Sequence, residues 1–227
     1  MSILPSNKRA CNLNLWHSVI HPITKHFRQK RGRFIRLNFP NICIWKICDL
    51  GGSRHFWEKL EISDLSFSNI LIYNISHGET DGYLSDISNK IQIHIYDGHT
   101  IPAKDGEFDL IVCNSVLEHV HPHERRNLVN EMMRVADHVF IQTPAQSFPV
   151  EPHFIMPFIH WFPRTLGFGL VHLSPWRLLS GPTQKNISDY WWGTQLLTMR
   201  EMQSLFPTST IRFEKFLGIT KSYYVIS

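Results

Sequence analysis

Histidines and one carboxylate could carry proton-transfer chemistry in this chain. His119 directly follows Glu118, whereas His153 and His160 lie much later, in a stretch rich in proline and aromatic residues. Imidazole is the side chain best suited to accept a proton near neutral pH. These positions therefore predict a general base, with His119 and His153 as the candidate catalytic residues.

Two glycine-containing turns could bring backbone close to a ligand. Gly51 and Gly52 follow Asp49 and precede a segment with helical character. Residues without side chains let backbone N–H groups approach a ligand at a helix N-terminus. Asp97-Gly98 could allow a similar approach, but Asp-Gly is also a common turn, so both interpretations stay open for it.

The alternation of His119, His121 and His123 raises the question of a metal site. Residues two apart share one face of a strand. Pro122 and the helix that follows argue against a regular strand there, so the sequence predicts no metal site.

Strand-like and helix-like segments alternate after residue 40 and would position these residues. The predicted strands are 42–49, 69–75, 91–96, 107–113 and 138–143, followed by 210–216 and 221–226 around the turn Leu217-Gly218-Ile219-Thr220. Runs rich in Ile, Val and Phe are typical of parallel strands covered on both faces. The pattern predicts the α/β class, with a doubly wound, mostly parallel seven-stranded sheet and a C-terminal antiparallel hairpin.

Helices are predicted at 122–136, from Ser53 through Leu60, and at 194–205, while 77–90 is polar and only weakly helical. In such a sheet, ligands bind beyond the carboxyl ends of the strands, where the strand order reverses. The motifs at 49–52, 97–98 and 118–119 all follow predicted strands.

Residues 144–193, the lid segment, show no sustained periodicity. They are rich in proline and aromatic residues and include Trp161, Trp176, Trp191 and Trp192. Long ordered loops often bind ligands or cover sites, so this segment is predicted to be a substrate lid. Its tryptophans could stack on sugar rings or form the core of the lid itself.

Three motifs in this order resemble the class I S-adenosylmethionine-dependent methyltransferases, in particular the type 11 group. They are ICDLGG (47–52), YDGHTIP (96–102) and EFDLIVCNSVLEHV (107–120). The stretches 148–163 and 189–207 more loosely resemble bacterial members linked to polysaccharide biosynthesis. The resemblance implies a Rossmann-like fold, S-adenosylmethionine as cofactor and O-methylation of a sugar or glycan intermediate.

The resemblance also implies roles for individual residues. It assigns cofactor binding to Asp49, Gly51, Gly52, Asn74, Asp97, Gly98, Asn114 and Glu118. Asp97 would accept a hydrogen bond from the adenine amino group.

The chain departs from the family at three places. Ser53 and His55 stand where glycines are usual, and Asn74 stands where an acid usually meets the ribose hydroxyls. A non-catalytic cofactor-binding protein therefore stays open as an alternative. The aromatic lid segment would also suit a small apolar acceptor, such as a quinone or lipid precursor, which is the second alternative.

The length of the chain and the distribution of its charges indicate how the protein is organised. The 227 residues fit one domain, divided into a basic arm (1–40), a cofactor-binding core (41–143), the lid segment and a C-terminal helix and hairpin (194–227). Residues 1–48 carry nine Lys and Arg and no acid. This arm could pack against the acidic remainder or contact an anionic membrane surface; nucleic acid is not favoured, because no recognisable motif accompanies the charge. Oligomeric state is left open.

The location predicted from sequence is the cytoplasm. The chain has no run of eighteen apolar residues and no apolar stretch at its start. Its four cysteines, Cys11, Cys43, Cys48 and Cys113, form no CxxC pair, which favours free thiols in a reducing compartment.

Overall fold

The structure is a computed structural model, and it describes residues 25–60, 62–76 and 90–227. Cys11, the first 24 residues of the basic arm and nearly all of the weakly helical stretch 77–90 lie outside these ranges.

A seven-stranded sheet forms the centre of the fold, and two further short strands form a separate pair. The strands of the described residues are β1 (Ile47–Leu50), β2 (Ile70–Asn74), β3 (Gln92–Ile95), β4 (Phe108–Asn114), β5 (Ala136–Pro144), β6 (Val150–Glu151), β7 (Met156–Pro157), β8 (Thr210–Phe216) and β9 (Ile219–Ile226). The order in the sheet is β3-β2-β1-β4-β5-β9-β8, and β6 and β7 pair separately. The first five strands are parallel, and β9 runs antiparallel to both of its neighbours. The predicted fold class is confirmed.

Helices cover both faces of this sheet. They are α1 (25–38), α2 (Arg54–Lys59), α3 (Arg125–Val135), α4 (Arg164–Val171), α5 (Pro175–Ser180), α6 (Gln184–Gly193) and α7 (Met199–Leu205). On one face Ile35 and Trp57 pack with Leu110, and on the other Met132 and Met202 pack with Ile111 and its neighbours. Adjacent residues of one strand thus serve opposite cores, as the strand period requires.

The described part of the basic arm packs against the sheet. In α1, Phe27 and Ile35 are buried, and Arg31 donates from its guanidinium to Asn114 Oδ1 at 2.6 Å. The same guanidinium lies 3.8 Å from the buried carboxylate of Glu214. Residues 25–38 therefore take the packed arrangement that the charge pattern allowed, while membrane contact by the arm stays a prediction.

Element boundaries differ from expectation where capping and turns decide them. The first strand begins at Ile47 rather than at 42, because 40–44 form a turn in which Ile42 is buried. Helix α7 begins at Met199 rather than at 194, because Thr198 and Glu201 form a capping box there. The final hairpin turns on Leu217 and Gly218 alone, with φ of 49° and 81°.

The lid segment also differs from expectation, since it contains three short helices, α4 to α6. They pack around a small core of their own that includes Phe154, Ile159 and Trp191. Trp161 and Trp192 are about half exposed instead.

Within the described ranges, no helix combines the length and the apolar character needed to cross a membrane. The thiols of Cys43, Cys48 and Cys113 are free, and the last two are buried.

Candidate active site

A cavity of about 410 Å³ opens at the carboxyl ends of β1, β2, β3 and β4. Strand order reverses between β1 and β4, which is where open α/β sheets bind ligands. Gly51, Asn74, Asp97, Gly98 and His119 line this cavity. Four of the eight residues predicted to bind the cofactor are thus brought together there, along with one predicted catalytic residue.

The turn after β1 leaves no space for side chains. Gly51 has a φ of +68°, and a Cβ on it would lie 2.6 Å from Val116. A Cβ on Gly52 would lie 1.7 Å from Oδ2 of Asp49. Asp49 is completely buried and accepts a hydrogen bond from the Trp57 indole at 2.7 Å. Asp49 and Gly52 therefore pack against each other within the turn and do not line the cavity.

Burial raises the pKa of Asp49 to about 7, although the hydrogen bond from Trp57 acts in the opposite direction. Its second oxygen, Oδ1, has no hydrogen-bond partner. An unpaired buried carboxylate is costly to ionise, so the folded state favours the protonated form.

The Asp49→Asn variant should show a flatter dependence of stability on pH. In the unfolded chain Asp49 ionises near its ordinary pKa of 3.8, whereas in the folded chain it holds its proton to about pH 7. Between these values the unfolded state releases a proton that the folded state retains, so stability falls as pH rises, by about 1.4 kcal/mol per unit and roughly 4 kcal/mol in total. Urea unfolding from pH 4 to 8 measures this, and the variant should be the more stable protein above pH 7. An unchanged slope would contradict the raised pKa.

The departures from the family at Ser53 and Asn74 both support the glycine turn. Ser53 is the N-cap of α2, and its Oγ accepts from the Phe56 backbone N–H at 3.2 Å. Asn74 donates from Nδ2 to the Gly52 carbonyl at 3.1 Å. Asn74 also lines the first cavity, so this residue contributes both to the turn and to the cavity wall.

Asp97 closes its own turn. Its Oδ1 accepts from the backbone N–H groups of His99 and Thr100 at 2.8 and 2.9 Å, and these bonds lower its pKa. Gly98 follows with a φ of +82°. The turn interpretation and the ligand interpretation of Asp-Gly are therefore compatible, since the turn presents an ionised carboxylate at the cavity.

Glu118, His119 and His153 form one cluster. Each offers one ligand-type atom, and these atoms lie within 4.8 Å of one another. The two imidazole rings are 5.0 Å apart between centroids and nearly perpendicular. His119 comes from the turn after β4 and His153 from the lid segment, so the fold joins residues that are distant in sequence.

Each member of the cluster is held by a further side chain. Glu118 is fully buried and accepts from the Thr143 hydroxyl at 2.9 Å. Nδ1 of His153 lies 2.7 Å from Oε1 of Glu151, a buried carboxylate. Nδ1 of His119 lies 3.2 Å from Oγ1 of Thr194. In both histidines Nδ1 lies within hydrogen-bond distance of a further side chain, which fixes the orientation of the ring.

The electrostatics of the two histidines are opposite. Burial, together with the nearby His153, lowers the pKa of His119 to about 4. Burial also opposes a charge on His153, but the hydrogen bond and charge of Glu151, with the charge of Glu118, raise its pKa overall. Burial raises the pKa of Glu118. His119 is consequently uncharged at neutral pH.

A second cavity, of about 290 Å³, lies beneath the lid segment. Glu151 and Thr194, the residues that hold His153 and His119, both line it. Its wall combines polar side chains with aromatic rings, among them Gln146, His160, Arg164, Gln195, Phe162 and Trp191. His119 lines the first cavity and its partner Thr194 lines the second, so this contact connects the two cavities.

Some predicted residues lie elsewhere. Asn114 accepts from Arg31 and does not line the first cavity, and Glu118 is buried behind its wall. His160 donates from Nε2 to the Gln146 carbonyl at 3.0 Å and lies outside the cluster. Sequence reasoning missed Glu151 and Thr194; the spacing Glu-x-His was a signal for the first, and nothing local pointed to the second.

Residues 56–138 match the family model of the type 11 methyltransferases, described as a methyltransferase domain. The matched segment is a methyltransferase domain. Its cofactor is S-adenosylmethionine, as the matched domain implies. No curated protein sequence matches this chain.

Solved structures share the fold at low sequence identity. The magnesium protoporphyrin IX methyltransferase of Synechocystis PCC 6803, with bound SAH, has a TM-score of 0.52 and 11% identity, over 99% of this chain and 89% of that one. The methyltransferase domain of bacterial CtHen1-C has a TM-score of 0.50 and 12% identity, over 87% and 96%. A Rhodobacter sphaeroides protein described as a Zn-dependent alcohol dehydrogenase scores 0.51 at 12% identity, over 86% and 88%. These likenesses concern the fold alone.

Proposed function

We propose that this methyltransferase methylates a hydroxyl group of a sugar or glycan intermediate in the cytoplasm. The observation that carries the proposal is that His119 of the Glu118–His119–His153 cluster lines a glycine-containing cavity, while Thr194, its side-chain partner, lines a polar, aromatic second cavity. In this assignment residues 41–143 hold the cofactor, the lid segment holds the acceptor, and 194–227 complete the sheet.

The first cavity fits S-adenosylmethionine. The backbone at Gly51 and Gly52 is too close to Val116 and Asp49 for any side chain, so the turn before α2 presents backbone alone to a ligand. The free amide oxygen of Asn74 can accept from a ribose hydroxyl, and Asp97 can accept from an amino group. These residues would hold the cofactor.

The cofactor supplies an electrophilic methyl group on a sulfonium. The protein must align the acceptor oxygen with that methyl group and promote the loss of the hydroxyl proton. A sugar hydroxyl is a weak acid, so methyl transfer needs a group at its oxygen that favours loss of the proton. His119 lines the first cavity, and the side chains that contact Nδ1 of His119 and His153 line the second. The two histidines are therefore the groups that we assign to the acceptor hydroxyl.

The second cavity favours an acceptor rich in hydroxyl groups. Amide, carboxylate and guanidinium groups of Gln146, Glu201 and Arg164 supply both donors and acceptors of hydrogen bonds. Phe162 and Trp191 add ring surface. Fixed polar groups in a pocket orient a ligand that carries hydroxyl groups of its own.

Calorimetry followed by an acceptor screen tests the proposal. The protein should bind S-adenosylmethionine and S-adenosylhomocysteine, and radiolabelled methyl should pass to nucleotide sugars or glycans. Methylation of quinone or lipid precursors alone would contradict the glycan assignment. Binding of neither cofactor form would contradict the whole proposal.

The Asp97→Ala variant should bind S-adenosylmethionine about ten- to a hundredfold more weakly, because a charge-assisted contact to the cofactor is lost. Titration calorimetry measures the affinity. Asp97→Asn is the matched control, since its amide oxygen can still accept from His99 and Thr100 and keep the turn. Equal affinity in Asp97→Ala and the native protein would remove Asp97 from the site.

A further inference from the structure

The cluster of Glu118, His119 and His153 has the composition of a metal site. One carboxylate and two imidazoles lie with their ligand-type atoms within 4.8 Å of one another. Glu118 and His119 belong to the turn after β4, and His153 belongs to the lid segment. Ligands of a single ion, each about 2.1 Å from it, lie no more than about 4 Å apart. Small side-chain rotations would therefore bring the three atoms into a first coordination shell.

A buried oxygen without a partner points to a missing positive charge. Oε1 of Glu118 is buried and has no hydrogen-bond partner, whereas Oε2 accepts from Thr143. Leaving a carboxylate oxygen buried and unpaired is costly. A cation bound at Oε1 would remove that cost.

The surroundings of the histidines are those of metal ligands. Glu151, itself 2% exposed, holds Nδ1 of His153 at 2.7 Å. Thr194 holds Nδ1 of His119 at 3.2 Å. Outer partners of this kind fix ring orientation and direct Nε2 towards a metal. A structural histidine pair needs neither a shared carboxylate nor two oriented Nε2 atoms.

We infer that Glu118, His119 and His153 bind one divalent transition-metal ion, of the zinc or manganese class, which takes the acceptor hydroxyl as a further ligand. Mixed nitrogen and oxygen ligands favour such ions over magnesium or calcium, which prefer oxygen alone. Three protein ligands leave positions open for substrate. The inference rests on the proposed function for the identity of that substrate.

The metal would supply the acidity that a sugar hydroxyl lacks. The hydroxyl oxygen would bind the ion and release its proton to water, and the resulting alkoxide would form the new O–CH₃ bond as the S–CH₃ bond of the cofactor breaks. One proton is released per methyl group transferred. The histidines would then act as ligands rather than as the base itself.

Metal binding is measured directly on the full chain. After treatment with EDTA, the protein is titrated calorimetrically with ZnCl₂ and with MnCl₂, and metal content is determined after dialysis. One equivalent should bind to the native protein. His119→Ala, His153→Ala and Glu118→Gln should each lose at least about tenfold in affinity, and Glu151→Gln should lose about ten- to a hundredfold through misorientation of His153.

His121→Ala and His123→Ala are the matched controls, since these nearby histidines belong to no such cluster among the described residues. They should bind metal as the native protein does. Retained affinity in both His119→Ala and His153→Ala, or no stoichiometric binding to the native protein, would overturn the inference. Methyl transfer that survives metal removal would overturn it while leaving the proposed function intact, whereas stoichiometric metal binding without glycan methylation would contradict only the acceptor.

Discussion

The Gly52→Ala variant is expected to lose about 3 kcal/mol or more of stability, because the new Cβ has no space. It would lie 1.7 Å from Oδ2 of Asp49, 2.0 Å from Cγ and 2.3 Å from Oδ1. The Asp49 side chain cannot move aside easily, since it is fully buried and bonded to Trp57. Urea unfolding measures the loss, and cofactor affinity should fall with it.

Two further variants test the cause. Asp49→Ala removes all three of the clashing atoms, so the double variant with Gly52→Ala should be less destabilised than the sum of the single effects. Gly169→Ala is the matched control: it lies within α4, and nothing lies within 4 Å of the added Cβ. This change should stabilise the protein by about 0.5–1 kcal/mol. Simple additivity at positions 49 and 52 would contradict the steric explanation.

The sequence predicts the sheet because its signal is local. Ile47, Leu110 and Phe140 belong to short apolar runs that could only be buried strands, and the order of these runs determines the topology. The boundaries of the helices were harder to predict, because a capping interaction rather than periodicity determines where a helix begins. Thr198 and Glu201 start α7 five residues later than periodicity suggests.

The site was predictable only where local sequence determines the position of a residue. Gly51, Asp97 and His119 follow the carboxyl ends of β1, β3 and β4, and the order of strands in the sequence is enough to place them at one edge of the sheet. Thr194 reaches His119 across 75 residues of intervening chain. Contacts of this kind depend on how the lid segment folds over the sheet, and its three short helices have no strong periodicity to reveal that path.

Asn114 has a partner that the sequence did not predict. Its position in a family-like motif implied contact with the cofactor, which stays a prediction, and its side chain accepts a hydrogen bond from Arg31 of α1. The partner comes from the basic arm, which precedes every motif of the sheet. The sequence pattern could not predict that Arg31 would donate a hydrogen bond to this amide. The position of Arg31 depends on the burial of Phe27 and Ile35, which lie on the same helix.

Replacement of His119 by alanine should lower turnover by roughly 10²–10⁴-fold, the usual contribution of a group that manages a proton in the transition state. The affinity for S-adenosylmethionine should change only a few-fold, because the glycine turn, Asn74 and Asp97 remain. His153→Ala should cause a similar loss in turnover. Steady-state kinetics with a glycan acceptor, beside calorimetry with the cofactor, separates the two effects, and His123→Ala serves as the control from the same segment.

The double variant His119→Ala/His153→Ala decides whether the pair acts as one unit. If both rings serve the same acceptor oxygen, removal of the first already removes the function, and the double variant should be no more than a few-fold slower than the worse single variant. The 5.0 Å separation of the rings favours this outcome. Multiplied losses would mean that the two histidines serve separate steps. Native turnover in both single variants would exclude the pair from the reaction and leave the alignment of the acceptor to the lid segment alone.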